Sequence, residues 1–553
     1  KGQTGVLIYA GSGANTYSGD TVVNTGTLEL AKTVATAGIV NGTLTIGDNL
    51  GGVDVDVVRE DGPNQINSSV PIAINSSGLL DLNNFSDAIG ALTFTGGHVT
   101  TGTGTATLTG NILSIANANA PAIIDGKVFM SSVRIFDTTN HNFSPDLIVN
   151  ALITGTGGIT KNGTGELSLT ASNIYSGVTT VNGGFLELDD SFALGSTNAG
   201  TIVNAGAVLA LRFGVHIGLE PLTVSGPGIL SIFGAVSSSF GSNSWDGTIT
   251  LASNTTFSVV NTNDFLNVAG AIVGTGDLTK VGPGTMIMSG GTANSYSGST
   301  FFNAGTNLLS KDVTDGAIPH DLFVGDGTGG SFSDVVRIVG RPQIATVSDV
   351  TIATSGLLDL NEISEGISTL SGFGRVDLGS TGTGQLVING SASSTYSGVI
   401  FGTGGDLLKQ GIGTFTLTGN NTYSGLTTIN AGTLIVNGSQ PSSPVLVNAS
   451  GATLGGDGTV GNITNISGGV VAPGSSTAIL TSSNVTFSGV SSDFTVELNG
   501  TTPGDGYDQL NVRGSVSLGG STLHVLPNFS PLDAPADGSI FTIINNDGAE
   551  AIG

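Results

Sequence analysis

One phrase of sequence is rewritten several times along this chain, and any fold has to account for it. The tripeptide Tyr-Ser-Gly occurs at Tyr17, Tyr175, Tyr296, Tyr396 and Tyr423. Three copies carry a longer preamble: "GTGGITKNGTGELSLTASNIYSG" from Gly155, "GTGDLTKVGPGTMIMSGGTANSYSG" from Gly274 and "GTGGDLLKQGIGTFTLTGNNTYSG" from Gly402. The first and third align without gaps from Lys161 and Lys409 to Tyr175 and Tyr423. A larger echo joins the halves, since "SGLLDLNNFSDAIGALTFTGG" from Ser77 returns as "SGLLDLNEISEGISTLSGFG" from Ser355, about 278 residues on. A block at about 15–112 is thus echoed at 294–390, with repeat units near 155–190, 274–310 and 402–437. Units this small bury their apolar faces only by stacking on one another.

Within a unit the apolar residues alternate. Phe415 and Leu417 fall on one face of "GTFTLTG" and the intervening Thr residues on the other, and Leu167 and Leu169 or Met286 and Met288 repeat the pattern. That is the period-2 signature of a strand with one buried face. Between strands, "NGG" and "NAG" supply Asn and Gly where a turn needs positive φ. The 89 Gly, with abundant Thr and Val, disfavour helix. The expected fold is all-β: a parallel β-helix, or β-solenoid, with irregular loop insertions. A propeller needs blades at nearly constant spacing, which the Tyr-Ser-Gly copies lack. The expected organisation is a β-helix over 1–440 and a C-terminal set of coils and cap over 441–553. Beginning at Lys1 and ending at Gly553, the chain is expected to be a processed part of something longer.

Charge and composition exclude several function classes. The 40 acidic and 14 basic residues leave a net charge of −26, which repels nucleic acid and anionic membranes. Cys is absent, removing disulfides, thiolate zinc sites and thiol catalysis. No run of about 18 apolar residues is present to span a bilayer as a helix, so no direct membrane insertion of this segment is expected.

The search for chemistry yields no catalytic or cofactor-binding candidates. Glycine-rich stretches such as "GTGTATLTG" lack the Lys-Ser/Thr and following helix of a phosphate loop. His98, His141, His216, His320 and His524 are scattered without a ligand-spaced partner. Carboxylates cluster at Asp54, Asp56 and Glu60, at Asp189 and Asp190, and at Asp505 and Asp508. Glycoside hydrolysis needs two carboxyls about 5–9 Å apart, which stacked coils can supply. The turns "VGDGTGG" from Val324 and "GGDGTVGN" from Gly455 offer the oxygen ligands of a weak calcium site. Otherwise no cofactor is expected. The recurring residues read as structural: Asn173, Asn294 and Asn421 as a polar ladder between coils, and Tyr17, Tyr175, Tyr296, Tyr396 and Tyr423 as corner rings. Lys161, Lys280 and Lys409 read as corner contacts to carbonyls or acidic neighbours.

The pattern G-x-G-x-L-x-K-x-G-x-G, leading through N-x-Y-S-G-x-T to G-x-L, resembles the autotransporter-associated β-strand repeat of bacterial surface proteins. Its best copies run from Gly155 to Leu188 and from Gly402 to Val436, and the copies at Asn15 and Gly274 are partial. The stretches Asn448 to Ser476 and Phe494 to Val525 look like the terminal coils of such passengers. The resemblance implies a right-handed parallel β-helix, export, and an extracellular or cell-surface location. The barrel strands that end autotransporters are not among these residues, so a barrel is expected beyond Gly553, or a different anchor. The expected function is a non-catalytic stalk, adhesin or matrix or filament component. Loops 113–150 and 212–247 are its candidate contacts, and extracellular ligands, glycans or end-to-end copies are its partners. The alternative is a carbohydrate-active, pectin-lyase-like β-helix enzyme, for which Trp245, the only Trp, offers little stacking platform.

Overall fold

Coils of short parallel strands make up a computed structural model of the chain, which describes all residues except 116–119, 141–144, 231, 489–490, 530–534 and 548–553. The described residues contain strands, turns and no helix, stacked as a β-solenoid of about 22 turns. None of it is a helix long and apolar enough to cross a membrane. The chain divides into two units, Lys1–Gly284 and Thr285–Gly553.

In the first unit, the strands Glu166–Leu169, Gly184–Leu188, Ala207–Arg212 and Val236–Ser239 lie in parallel register, one per coil. Leu167 stacks on Leu186, Leu186 on Leu209, and Leu209 on Val236. All four are buried, each burial contributing about 1.5–3 kcal/mol relative to exposure. A second wall runs through Ile159–Asn162, Thr179–Val181, Thr201–Val203 and Leu222–Gly226, where Lys161, Val181, Val203 and Val224 form one inward column. Because each of these strands pairs on both sides, its backbone polar groups are satisfied by the neighbouring coils.

The second unit repeats the scheme. Phe415, Leu434 and Leu454 stack along one wall, and Lys409, Ile429 and Val447 along another. The turn glycines explain the fixed spacing. Gly184 and Gly432 have φ of 64° and 65°. A Cβ on Gly184 would lie 2.2 Å from the carbonyl oxygen of Gly165 on the coil before it, so only glycine lets the two turns approach this closely.

Candidate functional site

The repeat residues turn inward. Tyr175, Tyr296 and Tyr423 are fully buried, and each hydroxyl bonds a Thr hydroxyl four residues on: Thr179 at 2.7 Å, Thr300 at 2.6 Å and Thr427 at 2.6 Å. Tyr17 makes the same contact to Thr21 at 2.7 Å. Tyr396 differs, because Ile400 stands where the Thr would be; its hydroxyl donates instead to the Gly374 carbonyl at 2.8 Å. Lys161, Lys280 and Lys409 are buried, and each donates to backbone carbonyls. Lys161 Nζ donates to the carbonyls of Asn162 (2.7 Å) and Gly163 (3.1 Å) in its own coil and Gly183 (3.0 Å) in the next. Lys280 Nζ donates to Gly282 and Gly284, and Lys409 Nζ to Gly411 and Ala431. Burial lowers Lys161 and Lys409 to about 8.

The Asn amides bond backbone groups of the neighbouring coils. Asn173 Oδ1 accepts from Ile153 N on the preceding coil (2.8 Å), while its Nδ2 donates to Ala193 on the following one (2.7 Å). Asn294 Nδ2 donates to Ala317 (2.8 Å), and Asn421 Oδ1 accepts from Ile400 N (2.9 Å). Stacked amides do occur, but on exposed turns, where Asn182 bonds Asn162 at 2.8 Å and Asn204 bonds Asn182 at 2.7 Å. Stacking of coils favours such in-line amide pairs wherever a turn keeps its length.

With the repeat residues spent on cohesion, the remaining side-chain clusters lie on the outward faces. In the first unit, Glu166, Phe185, Glu187 and Arg212 line a cavity of about 510 Å³, closed on another side by Leu230, Phe233 and Phe240. Arg212 is ion-paired with Glu187, and its Nε lies 3.5 Å from Asp189. The guanidinium also covers the rings of Phe213 and Phe240, at 4.7 and 5.4 Å from their centroids. Those two rings stack at 5.3 Å, and Phe185 meets Phe233 edge-on at 5.3 Å. Burial raises the Glu187 carboxyl to about 7, against the pull of Arg212 and with the help of Glu166 and Asp189.

Three of these residues have strained backbones. Phe213, Leu230 and Phe240 have φ of 59°, 61° and 56°, a left-handed conformation costing bulky residues about 1–2 kcal/mol each. They are also 58%, 72% and 59% exposed, so core burial does not offset the strain. Among the described residues one other large apolar side chain has positive φ, Phe332 at 65°. It too covers an arginine: Arg375, in the second unit, lies 4.9 Å from the ring centroids of both Phe332 and Phe401.

The duplication explains that second cluster. Asp54 and Phe332 occupy matching left-handed positions, φ 57° and 65°, in the echoed turns "DNLGGVDVD" and "DGTGGSFSD". Two coils on, His98 pairs with Leu79 as Arg375 pairs with Leu357. The same turn reaches the same register with a different residue. It sets Asp54 Oδ2 at 3.2 Å from His98 Nδ1 in one unit and the Phe332 ring over Arg375 in the other. Beside Arg375, Arg337, Asp359, Glu362, Asp377 and Phe401 line an open pocket of about 480 Å³. Backbone N–H groups of Ser380 and Thr381 hold the Glu362 carboxylate and lower it to about 2.

Comparison with known proteins places the fold in context. The passenger-associated-transport-repeat family matches residues 4–30, 159–188, 278–306 and 407–436. A Tyr–Thr contact falls inside each of these segments, half-buried at Tyr17 and buried at Tyr175, Tyr296 and Tyr423. Four segments of this chain are thus passenger-associated transport repeats. It is 29% identical over 478 residues to the adhesin BmaC autotransporter of Brucella suis biovar 1 (strain 1330), a match covering 71% of this chain and 13% of that protein. It is also 45% identical over 80 residues to an extracellular serine protease of Serratia marcescens, covering 14% of this chain and 7% of that protein. The chain thus spans a small part of either relative.

Outside the passenger repeats, the other residues singled out in the sequence are mostly structural. His98 bridges Asp54 and Asp125 (2.8 Å) through opposite ring nitrogens, which prevents the three from sharing one ion. His216 Nε2 lies 3.1 Å from Asp246, His524 Nε2 lies 3.3 Å from Asp493, and His320 is exposed. His141 lies outside the described residues, as do 116–119 and 141–144 of loop 113–150. Asp54 sits in an exposed turn, whereas Asp56 and Glu60 point into the core. Asp190 accepts from Ser172 Oγ and Phe192 N. Asp508 accepts from Ala478 N and Glu497 N and, being buried, is raised to about 6, while Asp505 is exposed. Asp326 closes a turn on Thr328. Trp245 is buried, its Nε1 donating to Glu220 O at 2.9 Å. Neither expected loop is one: 113–150 contains strands Ala122–Asp125, Lys127–Phe129, Arg134–Thr138 and Leu147–Val149, and 212–247 contains His216–Ile217, Leu222–Gly226, Val236–Ser239 and Ser242–Trp245, the latter stretch supplying part of the Arg212 groove. Its signal in the sequence was the pair Phe213-Gly214 and Phe240-Gly241, set about one coil apart.

Proposed function

We propose that this chain is an adhesive segment of a surface-displayed or secreted passenger, binding through side-chain clusters on its outward faces and catalysing no reaction. The observation that carries this is the pair of exposed, strained aromatic clusters at Arg212 and Arg375, on coils whose repeat residues are committed to stacking. Similarity to an autotransporter adhesin supports it, and the net charge of −26 directs it away from nucleic acid. Stalk, filament or matrix roles, glycan targets and end-to-end association of copies are variants of the same reading. The test is adhesion of inert beads coated with the full chain to matrix-coated surfaces and host cells. Saturable attachment, competed by free chain, is expected; attachment no better than with a bare bead ends the proposal.

A second reading, a carbohydrate-active enzyme, has one observation in its favour. Glu187, raised to about 7 beside Glu166, is a carboxyl of the kind a general acid requires. Its ion pair with Arg212 opposes that role. Hydrolysis of polysaccharides by the full chain, abolished in Glu187→Gln, is the result that would establish it. We also propose that the fold needs no calcium, since the side chain of Asp326 is engaged by Thr328 and Asp457 is exposed. Chelation is expected to leave the thermal midpoint unchanged, and a drop of several degrees would contradict this.

A further inference from the structure

We propose that the Arg212 groove docks a basic segment of a partner protein, taking from it one large apolar side chain flanked by Lys or Arg. This inference rests on the adhesive reading above and names the chemistry of what is bound.

The walls decide for an apolar guest. Phe185, Leu230, Phe233 and Phe240 bound a cavity of about 510 Å³, a volume in the range of pockets that enclose one compact group. The cation position is already filled. Arg212 lies over Phe213 and Phe240 and is neutralised by Glu187 and Asp189, so an ammonium group entering alone would have to displace it. An apolar side chain displaces only water.

The rim decides for a basic neighbour. Glu166 and Glu187 line the cavity, where Arg212 is the one basic lining residue, on a chain carrying −26 overall. Positive residues on either side of the anchor meet complementary charge and are steered to it from a distance. Aromatic and arginine side chains grouped in one recess are also the composition of protein-binding hot spots.

The strain decides that the groove is there to be used. Left-handed φ holds Leu230 and Phe240 outward at the edge of the cavity, with the exposed Phe213 ring stacked on Phe240. Glycine at any of these positions would relax the backbone. This separates a binding role from a packing role, because a packing residue loses stability when it is removed.

The experiment uses the full chain and a fluorescein-labelled peptide with one central Phe flanked on each side by Lys. Fluorescence anisotropy is expected to show binding that weakens with salt. It should fall about tenfold when the central Phe is replaced by Ala, and be lost when Lys is replaced by Glu. Phe240→Gly and Leu230→Gly are expected to keep or raise the thermal midpoint while weakening the peptide about tenfold. The proposal is overturned if the peptide does not bind, if both glycine variants bind it like the parent, or if neutral oligosaccharides occupy the groove instead. Bead adhesion that survives both substitutions overturns the groove assignment and leaves the adhesive reading standing. Peptide binding without any bead adhesion overturns the adhesive reading alone.

Discussion

The Tyr175 hydroxyl lies 2.7 Å from Thr179 Oγ1, both residues being buried on the same coil. The contact ties the Tyr-Ser-Gly corner to the first inward residue of the following strand, Thr179–Val181. Thr179→Val keeps the shape and strands a buried phenol, at a cost of about 1–3 kcal/mol. The double change Tyr175→Phe with Thr179→Val removes both partners and is expected to cost less than Thr179→Val alone. Urea midpoints of the two variants check this; equal losses would mean that the hydrogen bond contributes nothing.

Glycine substitutions separate the two costs of a left-handed turn. Gly184 has positive φ and no room, since a Cβ would sit 2.2 Å from Gly165 O and 2.9 Å from Lys161 Nζ. Gly206, at φ 83°, has nothing within 4 Å. Gly206→Ala is expected to cost about 1 kcal/mol from the backbone alone, and Gly184→Ala about 3 kcal/mol or more. Similar thermal midpoints for the two variants would show that the coils part easily at this turn.

These two contacts also show how far the sequence could be read. Alternation at Leu167 and Leu169 and the glycine of "NGG" report local backbone geometry, and local geometry repeats with the sequence. Tyr-Ser-Gly alone was an ambiguous sign: at Tyr396 the tripeptide is present, but Ile400 replaces the Thr and the hydroxyl finds Gly374 instead. The burial of Lys161 was not legible, because its three carbonyl partners are backbone atoms that any sequence would supply. The groove was hidden for a different reason. Glu187, Arg212 and Phe240 belong to three successive coils, and only stacking brings them together.

Glu60 shows what the duplication can diagnose. It is buried on Leu30, with its carboxyl raised to about 11 by desolvation and by Asp87. The echoed block has Ile338 at this register, buried on Leu309. Asp87 keeps its bonds from Ile66 N (2.8 Å) and Ala88 N (2.6 Å) without Glu60. Glu60→Ile is therefore expected to stabilise the chain by about 1–2 kcal/mol, by removing a buried carboxyl that the fold does not need. A lower urea midpoint in the variant would assign Glu60 a bond that the core depends on.

The buried groups together set an unusual pH profile. Burial raises Glu187 and Glu220 to about 7, Glu365 to about 8 and Asp508 to about 6. A carboxyl whose folded pKa lies above its unfolded value holds its proton longer in the folded chain. Its contribution is complete below the unfolded value, near pH 4, and declines until the folded value is passed. These four groups and Glu60 therefore make stability fall as pH rises from about 5 to 8. The lysines act in the opposite sense at higher pH. Lys161, Lys311 and Lys409 are lowered by burial to about 8 from an ordinary 10.5, so the folded chain releases their protons first. Stability then climbs between about 8 and 10, three lysines outweighing the one carboxyl, Glu60, that still holds its proton. Above pH 10 the rise stops, because the buried Tyr175, Tyr296 and Tyr423 resist ionisation that the unfolded chain undergoes freely. Urea midpoints measured from pH 5 to 10 should pass through a minimum near 8, with a steeper high-pH limb in Glu60→Ile. A decline that continues from pH 8 to 10 would show that the lysines bind their carbonyls strongly enough to keep an ordinary pKa.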